Sequence, residues 1–324
     1  MRRPIILLSC LFAVAWTFAQ QTSGKEALVK ARAGKNVTTH FPRKVVMEEA
    51  TGTWCGWCPR GIAGIKTMSE RYPDNFIAIA IHDDEYMLPT ESYYPFLNLV
   101  SAFPSSQINR SFWQDPSPFN IDGMKDSGEA MIKADAGFTD DGKVEVSTET
   151  TFGFSDNGTE YRIAYVVVED NVGPYYQANY YSSESPDGLM DWWTQQDSYV
   201  QTAFDEVARA IYDYNGVPGQ LPQEITEGEV YKCKYTLVLP NNVQNVENVK
   251  IVTLLLDNST GEILNADRTV ISKTSVAIEG IQGEMANVFD VYNLSGVKIR
   301  SQVTTLNGLP KGIYIVNGKK IIVK

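Results

Sequence analysis

Thr51-Gly-Thr-Trp-Cys-Gly-Trp-Cys-Pro-Arg-Gly61 sets two cysteines, Cys55 and Cys58, at the junction of an apolar strand and a helix. Upstream, Lys44-Val-Val-Met-Glu-Glu-Ala50 is β-prone and too short to be anything but a strand. Downstream, Pro59 takes a first-turn helix position, where a missing N–H costs nothing. Ile62, Ile65, Met68 and Tyr72 then recur at helical spacing and predict an amphipathic helix with one buried stripe.

That placement has chemical consequences. Unpaired N–H groups and the macrodipole at a helix start favour negative charge, so a cysteine there loses its proton more readily. Cys55, at the exposed turn, is the candidate nucleophile, and Cys58, further in, the candidate resolving thiol. Two other readings compete: a purely structural disulfide, or half of a zinc site. Zinc would need two more ligands, and His40, His82 and Cys233 are not at ligand-like spacing. By period-two alternation Glu49 shares the strand face of Val45 and Met47. Its alternative is an exposed strand carboxylate beside Glu48.

Two segments carry a resemblance: the run from Glu49 to Gly61, and Ala102-Phe-Pro-Ser-Ser-Gln-Ile-Asn-Arg110. Together they resemble the thioredoxin superfamily and, within it, the outer membrane protein 28 related family of secreted proteins, over residues 44–273 or so. The resemblance implies that Glu49 lies beneath the disulfide and relays a proton to Cys58. It also implies that Pro104 is a cis-proline heading a strand, facing the disulfide and shaping a substrate groove with Trp54 and Trp57. Phe103 would then lie close to Cys55. One departure matters: thioredoxin has Gly-Pro between its cysteines, and this chain has Gly56-Trp57. A redox potential therefore does not carry over.

Arg2 and Arg3, an apolar run from Pro4 to Phe18 and a small-residue end before Gln20 form the pattern of a secretory signal over residues 1–19. A lipoprotein reading would instead use Leu8-Ser9 before Cys10. Export puts the chain in an oxidising compartment, where Cys55 and Cys58 rest as a disulfide. The formal charge is −11, and removal of Arg2 and Arg3 takes it to −13 (−11 − 2). Such acidity disfavours nucleic acid and anionic lipid as partners. No later stretch is apolar enough for a transmembrane helix, and no cofactor or metal motif stands out.

Residues 20–43 form a polar lead-in, and residues 44–136 follow a β-α-β order expected of a thioredoxin-like α/β domain. Phe76-Ile-Ala-Ile-Ala-Ile-His82 has the continuous apolar pattern of a strand covered on both faces. Helices are expected over Ser92–Ala102 and Gly123–Ala136, with the Pro104 strand between them. His82, beside Asp83, Asp84 and Glu85, fits a solvated strand end better than a metal or proton-relay site.

Residues 137–273 switch to short alternating strands expected of an antiparallel β-sandwich. Asp141-Gly142 and Asn157-Gly158 predict hairpin turns, the second joining Thr150–Phe154 to Tyr161–Val168. Cys233 falls on the inward face of its strand. Asp257–Glu262 fits a turn better than a calcium loop. One helix is expected over Tyr199–Tyr212. The aromatic residues between Tyr175 and Trp193 suit anchors for a long loop more than a peptide or glycan platform. Residues 274–324 resemble the sorting domain of the type IX secretion system, which implies passage across the outer membrane.

The leading expectation is thus an exported thiol–disulfide oxidoreductase acting on protein or peptide thiols and disulfides through Cys55 and Cys58. The alternative is a cell-surface binding or adhesion protein in which the disulfide only staples a turn.

Overall fold

The computed structural model describes residues 35–83, 87–272, 289–292, 298–303, 309, 312–316 and 319–323. The secretory signal, most of the lead-in, and Asp84 and Glu85 lie outside the described residues. Residues up to Val276 fall in one compact unit, and Ala277–Lys324 form a second.

The first unit is built on an eleven-stranded mixed sheet. At one end β1 (Val45–Thr51) runs parallel to β2 (Phe76–His82) and antiparallel to β3 (Ser105–Ile108), which pairs in turn with β4 (Phe112–Gln114). Every residue of β1 and β2 is buried. Helix α1 (Pro59–Arg71) connects them, with Pro59 in its first turn as the sequence predicts and Cys58 at its cap position. It lays Ile65 and Met68 against Val45, Met47, Phe76 and Ala78. That face carries the odd-numbered residues of β1, which places Glu49 under the helix.

The remaining strands are β5 (Ala130–Phe138), β6 (Val144–Phe152), β7 (Asp156–Asn157), β8 (Tyr161–Glu169), β9 (Val172–Ala178), β10 (Tyr199–Phe204), β11 (Val207–Val217), β12 (Glu224–Ile225), β13 (Val230–Leu237), β14 (Val249–Asp257) and β15 (Ile263–Ser272). The large sheet runs β13-β6-β5-β15-β14-β8-β11-β2-β1-β3-β4, so β11 beside β2 joins β1–β4 and the later strands in one sheet. At its far end the sheet folds over itself. Tyr165 of β8 stacks on Tyr235 of β13, with ring centroids 4.6 Å apart and planes 6° from parallel. Between these facing layers Ile132, Val146, Phe152, Ile163, Val167, Ile251 and Leu255 share one core.

Several expectations are corrected. The helix predicted over Tyr199–Tyr212 is two strands, β10 and β11, interrupted at Asp205-Glu206, where Glu206 adopts a left-handed φ of 58°. β11 gains its register from β8, and that pairing overrides the helical spacing. The closing helix predicted over Gly123–Ala136 is a short helix (Asp122–Lys125) followed by β5. There Ala130, Ile132, Ala134 and Ala136 alternate inward while Lys133 and Asp135 face out. Ser92–Ala102 is helical only over Glu91–Tyr93 (3₁₀) and Tyr94–Leu97. Asn157-Gly158 does not join paired strands, because β6 pairs with β5 and β13 while β8 pairs with β11 and β14. His82 is buried, edge-on to Phe204 at 5.3 Å, rather than solvated. The Asp141-Gly142 hairpin and the turn from Asp257 into β15 form as predicted. Cys233 is half-buried, 2.9 Å from Thr148 Oγ1.

The second unit contains four antiparallel strands in the order β17 (Lys298–Val303), β16 (Phe289–Tyr292), β18 (Gly312–Val316), β19 (Lys319–Val323). β18 and β19 pair with Val316 opposite Lys319, and the predicted Asn317-Gly318 turn lies outside the described residues.

Candidate functional site around the Cys55–Cys58 turn

The site begins where β1 ends. The chain leaves Thr51 into a tight turn in which Cys55 N–H donates to Gly52 O at 3.1 Å and Cys58 N–H to Cys55 O at 3.1 Å. Cys55 and Cys58 are disulfide-bonded, with Cα atoms 5.3 Å apart. Helix α1 starts at once, Gly61 N–H donating to Cys58 O at 2.9 Å. Cys58 is fully buried, while Cys55 keeps 5% of its surface, so any approach to the bond comes through Cys55.

Beneath the first turn of α1 lies Glu49. It is buried, and its Oε1 has no hydrogen-bond partner among the described residues. Without a cation to offset desolvation, burial pushes its carboxyl up to about 8 from an ordinary 4.5. Gly61 makes room for it: a Cβ at that position would stand 1.7 Å from Glu49 Oε1. The neighbouring carboxylate has the opposite surroundings. Glu48, on the other face of β1, is gripped by Arg110, whose Nε and Nη2 donate at 2.7 and 2.8 Å. Tyr93 Oη adds a third bond at 3.1 Å, and the Arg110 guanidinium lies 3.8 Å over the Tyr214 ring. Sequence reasoning singled out Glu49 and passed over this buried ion pair. The signal available was Arg110 itself, a lone cation in the turn between β3 and β4.

The Phe103–Pro104 bond is cis. Pro104 immediately precedes Ser105, which stands opposite Ala50 of β1, so it heads β3 at the end of β1 from which the cysteine turn departs. Phe103 reaches the turn through Trp54, their ring centroids 5.2 Å apart. Trp54 is 55% exposed and anchored by its Nε1–H to Asp83 O at 2.7 Å; Trp57 is 50% exposed. The structure therefore brings Cys55, Cys58, Glu49, Trp54 and Trp57 into one neighbourhood, with Phe103 against Trp54.

It also adds a wall that the sequence did not reveal. The β9–β10 hairpin and the segment between its strands pack on the turn. Ala178 N–H donates to Thr53 O at 2.8 Å and Tyr180 N–H to Gly56 O at 2.9 Å. The Tyr180 ring occupies the space a Cβ on Gly56 would need, 2.3 Å away, and Trp57 meets Tyr180 and Tyr181 edge-on at 5.4 and 5.3 Å. Buried Gln177 points its amide at the Gly52 and Cys55 carbonyls. Of the aromatic residues in this segment, Trp193 is a buried anchor, whereas Tyr176, Tyr180 and Trp192 are exposed. The expectation of loop anchors thus holds for only part of the segment.

Among the described residues no cluster of His, Cys, Asp and Glu could hold a metal ion, and no helix is long and apolar enough to cross a membrane.

A mixed sheet with a cysteine turn at the end of an inner strand defines the class: a β-rich protein with a small-loop disulfide at a helix start. The chain belongs to the family described as Outer membrane protein Omp28, which matches residues 92–275. With it goes an exported location, at the outer membrane or cell surface. The matched segment begins after the cysteine turn, so membership rests on the β-rich part. Among solved structures, HBP35 of Porphyromonas gingivalis shares the fold, with a TM-score of 0.51 and 15% identity over 88% of this chain and 99% of that one. A protein of Agrobacterium tumefaciens aligns at 13% identity over 74% of this chain and 99% of its own, TM-score 0.42. A domain of the outer membrane lipoprotein Omp28 from Porphyromonas gingivalis aligns at 19% identity over 46% of this chain and 92% of its own, TM-score 0.27. No curated protein sequence matches significantly.

Proposed function

We propose that the protein is an exported thiol–disulfide oxidoreductase, with residues 44–136 serving as a thioredoxin-like unit, residues 137–273 as a sandwich-type β unit, and residues 274–324 as a type IX sorting module. The observation that carries this reading is the disulfide at the start of α1 with an unpaired, buried Glu49 beneath it. A staple needs no proton store under it.

In the reducing direction the Cys55 thiolate attacks a substrate disulfide. A Cys55 Sγ–substrate bond forms, the substrate S–S bond breaks, and the departing sulfur takes a proton. Cys58 then loses its proton to Glu49, which must first have given up its own to solvent, and attacks Cys55 Sγ. The internal disulfide closes and the second substrate thiol leaves, two electrons having passed to substrate. In the oxidising direction the order reverses. Glu49, protonated at neutral pH because burial holds its carboxyl near 8, then supplies the proton that the opening Cys58 sulfur needs. Pro104, Phe103, Trp54 and Trp57 form the groove for an extended polypeptide, and Cys55 is its point of attack.

The test is to express Cys58→Ala in the exporting cell and isolate mixed disulfides on Cys55, alongside insulin reduction by the unaltered chain. Trapped partners and turnover support the reading; neither appearing sinks it. A second reading, a surface binding protein with a structural disulfide, draws on the small exposure of Cys55. A reduction potential below about −300 mV would decide for it.

A further inference from the structure

Gln177 lies in β9, 122 residues from Cys55, and is fully buried. Its Nε2 donates to Cys55 O at 2.9 Å, to Ala178 O at 3.0 Å and to Gly52 O at 3.3 Å. Three carbonyls around one nitrogen fix the orientation of the amide, since the reversed amide would set oxygen against oxygen. Its Oε1 has no partner among the described residues. A buried acceptor left unpaired is costly. The chain accepts that cost in order to place a donor on the cysteine turn.

The two turn carbonyls already accept the turn's own bonds, Gly52 O from Cys55 N–H and Cys55 O from Cys58 N–H. Gln177 therefore ties together the two hydrogen bonds that set where Cys55 and Cys58 stand. Tyr180, packed over Gly56 and bonded to its carbonyl, holds the rest of the loop. We propose that Gln177 is a positioning residue for the Cys55–Cys58 pair, contributed by the β-rich half of the chain, which keeps the two sulfurs in reach of each other when the bond between them is open. The proposal rests on the oxidoreductase reading for its purpose and not for its test.

The step it acts on is resolution. In a mixed disulfide on Cys55, the Cys58 thiolate attacks Cys55 Sγ; the Sγ–Sγ bond forms, the bond to the outside sulfur breaks, and that sulfur leaves with the electron pair and takes a proton. Such a step depends on the effective concentration of one sulfur at the other, which a fixed turn raises. Releasing the turn lowers it.

The experiment equilibrates the full-length chain with reduced and oxidised glutathione and measures three species: dithiol, Cys55–glutathione mixed disulfide and internal disulfide. In Gln177→Met, which keeps the shape and removes the donor, the effective concentration of Cys58 should fall about tenfold, the equivalent of one lost hydrogen bond. The mixed disulfide should accumulate accordingly. A value within twofold of the unaltered chain overturns the proposal. Where Gln177→Met does not fold, Gln177→Glu serves. Its neutral acid keeps one donor, and its carboxylate has none and opposes the carbonyls. Relative to the unaltered chain at each pH, its effective concentration should match at low pH and drop as the acid ionises; a flat ratio overturns the proposal. A merely structural role would not follow that titration. Failure of insulin reduction would sink the oxidoreductase reading alone, because the glutathione equilibrium needs only a reducible bond.

Discussion

Replacing Glu49 with glutamine should flatten a pH dependence of stability that the unaltered chain carries. The unfolded chain releases the Glu49 proton near 4.5, whereas burial in the native state holds it to about 8. Below 4.5 both states are protonated and the group contributes nothing. Between 4.5 and 8 the native state binds the extra proton, so stability falls as pH rises, by about 1.4 kcal/mol per pH unit. The loss is complete above 8, and over that span it reaches about 5 kcal/mol. At pH 7 about 3 kcal/mol of it has accrued, a large part of a typical domain's stability. Glutamine cannot ionise. Its two buried N–H groups add an offset, but that offset does not change with pH. Urea unfolding of the oxidised protein at pH 5, 6, 7 and 7.5 would measure the difference between Glu49→Gln and the unaltered chain, in which all other titrating groups cancel. That difference should climb in favour of the variant by more than 1 kcal/mol per unit. Parallel stability curves would refute the reasoning, since Glu49 would then ionise alike in both states.

Arg110→Met should destabilise the fold by about 3–5 kcal/mol, because it strands the Glu48 carboxylate in the core; adding Glu48→Gln should recover most of that loss, read by urea midpoints. Gly61→Ala, whose methyl would stand 1.7 Å from Glu49 Oε1, should cost about 1–3 kcal/mol, and much less in a Glu49→Ala background, the coupling being measured by a double-mutant cycle. Gly56→Ala should likewise displace the Tyr180 ring and loosen the hairpin, seen as faster amide exchange at Tyr180 N–H, with the effect absent in a Tyr180→Ala background. The Cys55–Cys58 bond closes so small a loop that its reduction should make unfolding easier by only about 2 kcal/mol, measured as the shift in urea midpoint with and without dithiothreitol.

What the sequence made legible was local. Pro59 after Cys58, the spacing of Ile65 and Met68, and the unbroken apolar run of β2 each fix an element without help from distant residues. The face of Glu49 followed from alternation along β1. What stayed hidden depended on pairing. Ala130, Ala134 and Ala136 favour a helix on intrinsic grounds, and only the ladder with β6 makes them a strand. Val200, Phe204, Val207 and Ile211 fit a helical stripe as well as two strands, and the left-handed Glu206 that separates them leaves no mark in composition. Gln177 is one polar residue among the aromatics that run from Tyr175 to Tyr181. Nothing nearby in sequence announces that its amide meets a carbonyl 122 residues away.

The two adjacent carboxylates of β1 are buried in opposite surroundings. Glu48 faces Arg110, Tyr93 and Tyr214, a cage that supplies a cation and a hydroxyl and so makes a buried charge tolerable. Glu49, one residue on and on the opposite face, meets α1 and no cation, and a glycine is placed where any side chain would displace it. A fold seeking only stability would fill that space with an apolar side chain. The surroundings of the turn are divided in the same way. β1 and α1 carry the cysteines and Glu49, whereas Phe103, Pro104, Gln177 and Tyr180 all fall within residues 92–275, the segment that places the chain in its family. The cysteine turn therefore takes the Gln177 amide and the Tyr180 ring from the matched segment, and Tyr180→Ala in the full-length chain would retain the sulfurs while losing that cover. Such a variant should hold its disulfide less tightly than the unaltered chain, and the glutathione equilibria of the two, compared, measure what the Tyr180 cover supplies.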